Sequence, residues 1–247
     1  FDDVWFRDYS QNGEDGILLY VFALIGTTNR ITVEMCAGNG IECNSANLIL
    51  NHGFWGLLFD GDEAKVRQGD EFYSTHQDSA NWKPLMIHEW ITRDNVNELI
   101  STRSLSGEID LFALDMDGND YWILEALDVI SPRVMIVEYE SAWGWDEAMT
   151  LRYEEGFRSD SVTAFGTLPQ YGASLPAFVT LADQKGYRLV GCERQGFNAI
   201  FVRSDLGRDV LPTVTPADCF RHPMPRYRAQ FLKDHRDKLD MSRWQAG

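Results

Sequence analysis

Short apolar runs rich in Val, Ile, Leu and Phe alternate along this chain with longer segments whose apolar residues recur at helical spacing. This alternation is typical of βαβ units in a parallel sheet. The last two runs differ, because only residues 193–196 separate the run at 187–192 from the run at 197–203. A parallel crossover needs about a dozen residues or more, so these strands must pair antiparallel. The sequence therefore predicts an α/β fold, a Rossmann-like, doubly wound, mostly parallel sheet with a C-terminal antiparallel hairpin.

Apolar periodicity, capping residues and glycine stops bound the other elements. Strands are predicted at residues 31–35, 55–59, 84–88, 110–114 and 133–137. Helices are predicted from residue 14 to Gly26, at 45–52, after a cap at Thr92 or Asp94, and at 121–127, 174–185 and 227–239, whereas 141–171 looks irregular. Residues 1–204 are expected to form one domain that includes the N-terminal helix. Residues 205–247 are expected to be a tail packed on that domain, with a homodimer contact as one role for it.

The charge balance argues against two classes of partner. The formal net charge is −16 and the pI is near 4.6, whereas a sequence-independent grip on nucleic acid or on an anionic membrane depends on clustered Lys and Arg. We therefore expect neither a nucleic acid nor a membrane partner. The four cysteines, Cys36, Cys43, Cys192 and Cys219, contain no C-x-x-C pair. Their sparseness favours reduced thiols and a cytoplasmic location.

Polar side chains follow each of the five parallel strands, at the point where the strand ends. In open α/β sheets ligands bind beyond the carboxyl ends of the strands. The side chains at this edge are Glu34, Asp60, Asp62, Glu89, Trp90, Asp115, Asp117, Glu138 and Glu140. The sequence therefore predicts the ligand site at this edge of the sheet.

The small residues of the turn at 37–40 and the acidic Asp60 suggest a nucleoside ligand. Glycines let the backbone approach a ligand closely, and an acid that ends the second strand can accept hydrogen bonds from both ribose hydroxyls. A dinucleotide would place its pyrophosphate at the start of the next helix, where Glu42 would repel it. A single Gly-x-Gly also forms plain turns. An NAD-dependent or nucleotide-sugar oxidoreductase and a non-catalytic cofactor-binding module therefore remain as alternatives.

Several segments of the chain resemble the FkbM-like branch of class I S-adenosylmethionine-dependent methyltransferases. They are SQNGEDG (residues 10–16), VEMCAGNGIECNS (33–45), GLLFDGD (56–62), LDMDGNDYW (114–122), YGAS (171–174) and the hairpin strand through Asn198. The resemblance spans residues 9–203, with Cys36 at a position where many relatives have glycine. It implies the class I methyltransferase fold and methylation of a small molecule, with O-methylation of a sugar or natural-product hydroxyl expected first.

The same resemblance implies which residues hold S-adenosylmethionine. Asp60 would bind the ribose, Trp90 and Ile91 would lie by the adenine, and Asp115 would lie close to the methionine end. The expected cofactor-binding residues are Glu34, Ala37, Gly38, Asn39, Asn44, Ser45, Asp60, Gly61, Trp90, Ile91 and Asp115.

Transfer of a methyl group to a hydroxyl also requires a proton acceptor. The expected catalytic carboxylates are Asp115, Asp117 and Glu138, with Asp115 or Asp117 as general base. Alternatively, these three residues and Glu140 share a divalent cation such as Mg²⁺, which would lower the pKa of a coordinated hydroxyl. A purely structural alternative is that residues 117–120 form a turn and a helix cap.

Overall fold

The computed structural model describes residues 1–158 and 168–247. Its strands are Ile31–Met35 (β1), Trp55–Asp60 (β2), Leu85–His88 (β3), Gly107–Leu114 (β4), Ile130–Glu138 (β5), Met149–Leu151 (β6), Tyr187–Cys192 (β7), Asn198–Arg203 (β8) and Trp244–Ala246 (β9). Its helices are Glu14–Ile25 (α1), Ala46–His52 (α2), Glu63–Thr75 (α3), Val96–Ser101 (α4), Asp120–Ala126 (α5), Leu175–Gln184 (α6) and Pro223–His235 (α7). Short 3₁₀ turns lie at Ser141–Trp143, Pro216–Cys219, Arg236–Lys238 and Met241–Arg243.

The main sheet confirms the predicted fold class. Its strands hydrogen-bond in the order β3-β2-β1-β4-β5-β8-β7. β1 pairs in parallel with β2 and β4, and β2 with β3, whereas β7 and β8 pair antiparallel across their short connection. The chain winds outward from β1 to β3 and then crosses to β4. Strands β1 and β4 therefore flank the topological switch point, where ligands of doubly wound sheets bind.

The described residues group into two compact units by their internal contacts. The N-terminal unit holds residues 2–115 and 126–136, and the C-terminal unit holds residue 1 and residues 116–125 and 137–247. The buried apolar residues of the N-terminal unit lie mainly on strands β1, β2 and β4 and on helices α1, α2 and α4. One core cluster of the C-terminal unit joins the segment after β5 to the chain's end; it comprises Ala142, Trp143, Leu151, Tyr171, Leu232 and Trp244. The predicted division at residue 204 stays a prediction.

Helix ends follow the sequence wherever the signal is local. The Ser174 side chain caps α6 by accepting from the Ala177 backbone N–H at 3.3 Å, and Gly186 just beyond α6 has a φ of 85°. Gly53 ends α2 with a φ of 67°. Glycine reaches this left-handed backbone without steric cost, which is why these stops could be predicted.

Several predicted boundaries were wrong; β4, for instance, begins at Gly107 rather than at residue 110, and α7 ends at His235 rather than at residue 239. Helix α4 has Asn95 at its N-cap rather than Thr92 or Asp94, and the Asn95 side chain accepts from the Thr92 N–H at 2.8 Å in the turn before the helix. Strand β5 begins at Ile130 and so includes Pro132. Helix α7 begins at Pro223 rather than at residue 227, since proline fits the first helical turn, where its missing N–H would have no partner.

Two features were not predicted at all. Helix α3 lies in a charged segment, and β6 and β9 pair antiparallel with Leu151 opposite Trp244. Strands of three residues that are separated by most of the C-terminal unit carry no local pattern of their own. Within the irregular stretch expected at 141–171, residues 159–167 lie outside the described residues.

Two general properties of the described chain concern its helices and its cysteines. None of its helices has the length and apolar character needed to cross a bilayer. All four cysteines are free thiols, as predicted; Cys43 and Cys219 are buried, and Cys36 and Cys192 are half-buried.

Candidate functional site

The loop that follows β1 (residues 37–40, the glycine loop) is built from left-handed backbone. Gly38 and Gly40 have φ of 60° and 67°, and Cys36, just before the loop, has φ of 60°. The loop closes as a turn, with the Gly40 N–H donating to the Ala37 carbonyl at 2.8 Å. A residue other than glycine adopts this backbone at a cost of about 1 kcal/mol. That cost explains why a glycine would suit the position of Cys36 and marks the loop as strained at its start.

The Asp60 carboxylate joins the tips of β1 and β2. One oxygen accepts from the Gly38 N–H at 2.8 Å, and the other accepts from the Asp62 N–H at 2.8 Å. Asp60 is 7% exposed. Each carboxylate oxygen has two lone pairs, so both keep an acceptor site for a further donor. The carboxylate therefore points at the glycine loop, which is the arrangement that the predicted nucleoside site requires.

The two glycines of the loop face different surroundings. A Cβ at Gly38 would find nothing within 4 Å, whereas a Cβ at Gly40 would lie 2.8 Å from the Met86 sulfur and 3.2 Å from the Tyr73 ring. Gly40 is buried and Gly38 is half-buried. The loop thus has one open side, next to the Asp60 carboxylate, and one packed side.

Glu34 lies under this loop and is 4% exposed. Its two oxygens accept from the Asn44 N–H at 2.9 Å and the Ser45 N–H at 2.8 Å, which are the free donors at the start of α2. Burial raises the pKa of Glu34, although these hydrogen bonds oppose the shift. Three residues of the predicted cofactor-binding set are thus joined by hydrogen bonds from Asn44 and Ser45 to Glu34. Their direct contact with a cofactor stays a prediction.

The residues predicted beside the adenine lie next to the tip of β2. A Cβ at Gly61 would be 3.0 Å from the Trp90 ring, so the indole lies directly against this glycine. Trp90 is 40% exposed, whereas Ile91 is buried. The Asn95 side chain donates to the Trp90 carbonyl at 2.8 Å and holds the segment in place. A partly exposed indole beside Asp60 offers an aromatic face for a base.

Sequence reasoning missed the helix that forms the packed side of the glycine loop. Asp62 is the N-cap of helix α3, and its side chain accepts from the Ala64 and Lys65 N–H groups at 2.8 and 3.3 Å. Its buried face consists of Val66, Gly69 and Tyr73. The Asp62 cap and this three-and-four spacing were the available signals. They were weak because charged residues dominate the segment and glycine weakens the apolar stripe.

The N-terminal segment also contacts the region after β1. The Gln11 side chain donates to Glu42 at 3.2 Å. Asp15, at the start of α1, accepts from the N–H groups of Asp8, Tyr9 and Ser10, each at 2.8 Å. These bonds tie residues 8–10 to α1, and Gln11 extends the contact to the loop that leads into α2.

The predicted catalytic carboxylates follow β4 and end β5. Asp115 directly follows β4, Asp117 is exposed with a φ of 53°, and Glu138 is the half-buried last residue of β5. Carboxylate oxygens of Asp117 and Glu138 lie within 4.8 Å of each other. Glu140 is separate from this pair: it is buried and forms an ion pair with Arg228 at 2.7 Å. The proposed part of Glu140 in a cation site is therefore wrong, because its charge is already neutralised by a buried guanidinium.

The loop between β4 and α5 (residues 116–119, the acidic loop) is held by Asp120. The Asp120 carboxylate accepts from the Met116 N–H at 2.7 Å and the Gly118 N–H at 2.9 Å. Burial raises the pKa of Asp120 to about 6; its backbone donors oppose this shift and the Asp117 charge adds to it. The Asp120 carboxylate thus closes the turn before α5, which agrees with the turn part of the structural alternative, while Asp117 is left exposed.

Comparisons with known proteins concern the fold. No family model matches the chain, and no curated protein matches it in sequence. An S-adenosylmethionine-dependent methyltransferase from Clostridium acetobutylicum is 11% identical, with a TM-score of 0.48 over 79% of this chain and 92% of that one. The CcbJ methyltransferase of Streptomyces caelestis is 12% identical, with 0.46 over 82% and 95%. The magnesium protoporphyrin IX methyltransferase of Synechocystis, solved with S-adenosylmethionine, is 12% identical, with 0.45 over 77% and 78%.

Proposed function

We propose that this protein is an S-adenosylmethionine-dependent methyltransferase of the FkbM-like branch that methylates a hydroxyl group of a small molecule such as a sugar or natural product. The observation that carries the proposal is the 2.8 Å hydrogen bond between the Asp60 carboxylate and the Gly38 N–H, on the open side of the glycine loop. This arrangement supplies a charged acceptor for ribose hydroxyls beside backbone that a ligand can approach.

The residues present fit the adenosyl part of such a cofactor. Asp60 would accept from the ribose hydroxyls, Trp90 and Ile91 would flank the adenine, and Gly38 leaves room for close approach. S-adenosylmethionine supplies an electrophilic methyl group on a sulfonium centre. The chain's part is to bind the cofactor, hold the acceptor in line and exclude water.

The same region disfavours the oxidoreductase alternative. A dinucleotide pyrophosphate binds the free N–H groups at the start of the helix after β1. Here the N–H groups of Asn44 and Ser45 already donate to the buried Glu34 carboxylate. A pyrophosphate would have to displace one negative charge and approach a second on Glu42. A sulfonium cofactor carries no phosphate and is attracted by both charges.

Removal of the acceptor's proton is assigned to the carboxylates that follow β4 and end β5. Asp115 or Asp117 would act as general base. The pair of Asp117 and Glu138 also has the oxygen chemistry of a Mg²⁺ ligand set. In that version the cation would lower the pKa of the bound hydroxyl.

Isothermal titration tests the cofactor assignment. We expect the protein to bind S-adenosylhomocysteine and to show no heat of binding with NAD or a nucleotide-sugar; the reverse pattern would overturn the proposal. Incubation with S-adenosylmethionine carrying a labelled methyl group and a panel of hydroxylated metabolites then tests catalysis. Transfer of label to an oxygen supports the enzyme, whereas tight binding without transfer across the panel favours the non-catalytic module.

A further inference from the structure

A buried tyrosine hydroxyl contacts the packed side of the glycine loop. Tyr73 is fully buried on α3, and its hydroxyl donates a hydrogen bond to the Gly40 carbonyl. Burial raises the pKa of Tyr73, with the charges of Cys43 and Glu34 acting in the same direction. The hydroxyl therefore stays protonated at neutral pH and remains a donor.

The backbone of α3 touches the loop one residue earlier. A Cβ at Gly69 would meet the Asn39 carbonyl oxygen at a separation that real Cβ atoms do not show. Gly69 and Tyr73 are four residues apart, so they lie on the same face of the helix. Two successive carbonyls, those of Asn39 and Gly40, thus lie against α3.

Fixing these carbonyls fixes the peptide planes of the loop. The Gly40 N–H donates back to Ala37, and the Gly38 N–H donates to Asp60. Glycine adopts many backbone conformations with similar ease, so its own preference does not keep it at a left-handed φ. The conformation of the loop therefore depends on these hydrogen bonds. The Cys43 thiol also donates to the Gly40 carbonyl, at 3.4 Å, but a thiol is a weak donor.

We infer that Tyr73 is a positioning residue for the cofactor: its hydroxyl holds the Gly40 carbonyl against α3 and thereby presents Gly38 and Asp60 in the geometry that binds the adenosyl group. The identity of the ligand in this inference rests on the proposed function, whereas the contact by which Tyr73 holds the glycine loop does not. Tyr73 does not touch the cofactor itself. Its action passes through the Gly40 peptide.

Two variants separate this role from simple stabilisation of α3. Tyr73→Phe removes only the hydroxyl. Ser79→Ala is the matched control, because the buried Ser79 hydroxyl donates to the Tyr73 carbonyl at 2.8 Å and supports the same helix without touching the loop. Both variants lose one buried hydrogen bond and should melt at a slightly lower temperature than the parent.

Binding of S-adenosylhomocysteine, followed by titration calorimetry at 25 °C, is the first readout. We expect Tyr73→Phe to bind about tenfold more weakly, since a buried carbonyl left without a strong donor lets the turn relax. Ser79→Ala should bind within about twofold of the parent. Equal affinities for all three proteins, or equal losses in both variants, would overturn the inference.

The second readout needs no ligand and uses the amide resonances of Gly38 and Gly40 in ¹⁵N-labelled protein. We expect both to move in Tyr73→Phe and to stay in place in Ser79→Ala. Unmoved resonances in Tyr73→Phe would refute the positioning role. If the parent protein does not bind S-adenosylhomocysteine, the proposed function fails, and the amide resonances still decide whether Tyr73 sets the loop.

Discussion

The glycine loop and the acidic loop are both strand-to-helix connections, but they differ in where the groups that hold them come from. Each has a residue other than glycine in left-handed backbone. For the glycine loop this residue is Cys36, just before the loop, and for the acidic loop it is Asp117, within the loop. Each is held by a buried carboxylate that accepts backbone N–H groups. The carboxylates differ in origin, since Asp60 comes from another strand and Asp120 from the helix that the acidic loop itself enters.

This difference has a physical consequence. The glycine loop is held from several elements at once, by Asp60 of β2 and by Gly69 and Tyr73 of α3, so its shape is preorganised before any ligand arrives. Preorganisation lowers the entropy that binding must remove. The acidic loop is held mainly by its own next residue, and burial brings the pKa of that residue to about 6. Its stability therefore depends on pH.

Loss of the distant carboxylate should have the largest effect. Asp60→Ala removes the acceptor of the Gly38 N–H and the acceptor that we propose for the ribose. We expect S-adenosylhomocysteine to bind roughly 100-fold more weakly, from the loss of charge-assisted hydrogen bonds worth about 1.5–3 kcal/mol each. Asp60→Asn, which keeps the shape and one acceptor oxygen, should fall in between. Asp62→Asn, which changes only the cap of α3, is the control and should bind like the parent. Titration calorimetry measures the affinity of all three variants for S-adenosylhomocysteine. Parental affinity in Asp60→Ala would refute the proposed nucleoside site at Asp60 and the glycine loop.

The residue that holds the acidic loop should make the free energy of unfolding depend on pH. The pKa of folded Asp120, about 6, lies above the ordinary aspartate value of about 3.9. Between these two values the folded state binds more protons than the unfolded state, so the free energy of unfolding should fall as pH rises, by roughly 1–3 kcal/mol in total.

Urea unfolding at several pH values measures this dependence. Asp120→Asn cannot ionise, so its free energy of unfolding should lack this part of the decline, although it should be lower throughout because one amide N–H₂ group replaces an acceptor. Parallel pH profiles for the parent and Asp120→Asn would contradict the assignment.

A pair of glycine substitutions sharpens the contrast further. Gly69→Ala should gain up to about 1 kcal/mol in helix propensity, but its Cβ would collide with the Asn39 backbone carbonyl, which cannot turn aside. We expect a net loss of about 1–2 kcal/mol in stability and roughly tenfold weaker binding of S-adenosylhomocysteine. Gly118→Ala would meet the Phe157 ring instead, which can rotate, and should keep affinity within about twofold. Normal binding by Gly69→Ala would show that α3 does not set the glycine loop.

Chelation should have the smallest effect on cofactor binding. The residues assigned to the adenosyl group need no cation, so EDTA should change the affinity for S-adenosylhomocysteine by less than about twofold. Transfer of a labelled methyl group is the sharper measurement. Activity that is lost in EDTA and restored by Mg²⁺ would assign Asp117 and Glu138 to a cation, and activity that survives EDTA would assign them to proton transfer.

Much of this protein follows from its sequence because the relevant signals are local. Short apolar runs and helical spacing, glycine stops such as Gly53 and Gly186, and the short link between β7 and β8 suffice to predict the sheet and its antiparallel end. The strand-end positions of Asp60, Asp115 and Glu138 follow in the same way. The sequence also placed Gly38 and Asp60 as partners, since the carboxyl ends of neighbouring parallel strands meet at one edge.

Only the tertiary structure decided how these residues are used. It assigned the Glu34 carboxylate to the start of α2 and the Glu140 carboxylate to Arg228, and it put Gly69 and Tyr73 of α3 behind the glycine loop. A carboxylate in a sequence carries no mark of whether it will meet a backbone donor, a guanidinium or a ligand. That choice depends on which distant groups the fold brings within hydrogen-bond distance, and the strong dependence of electrostatic energy on burial then fixes it.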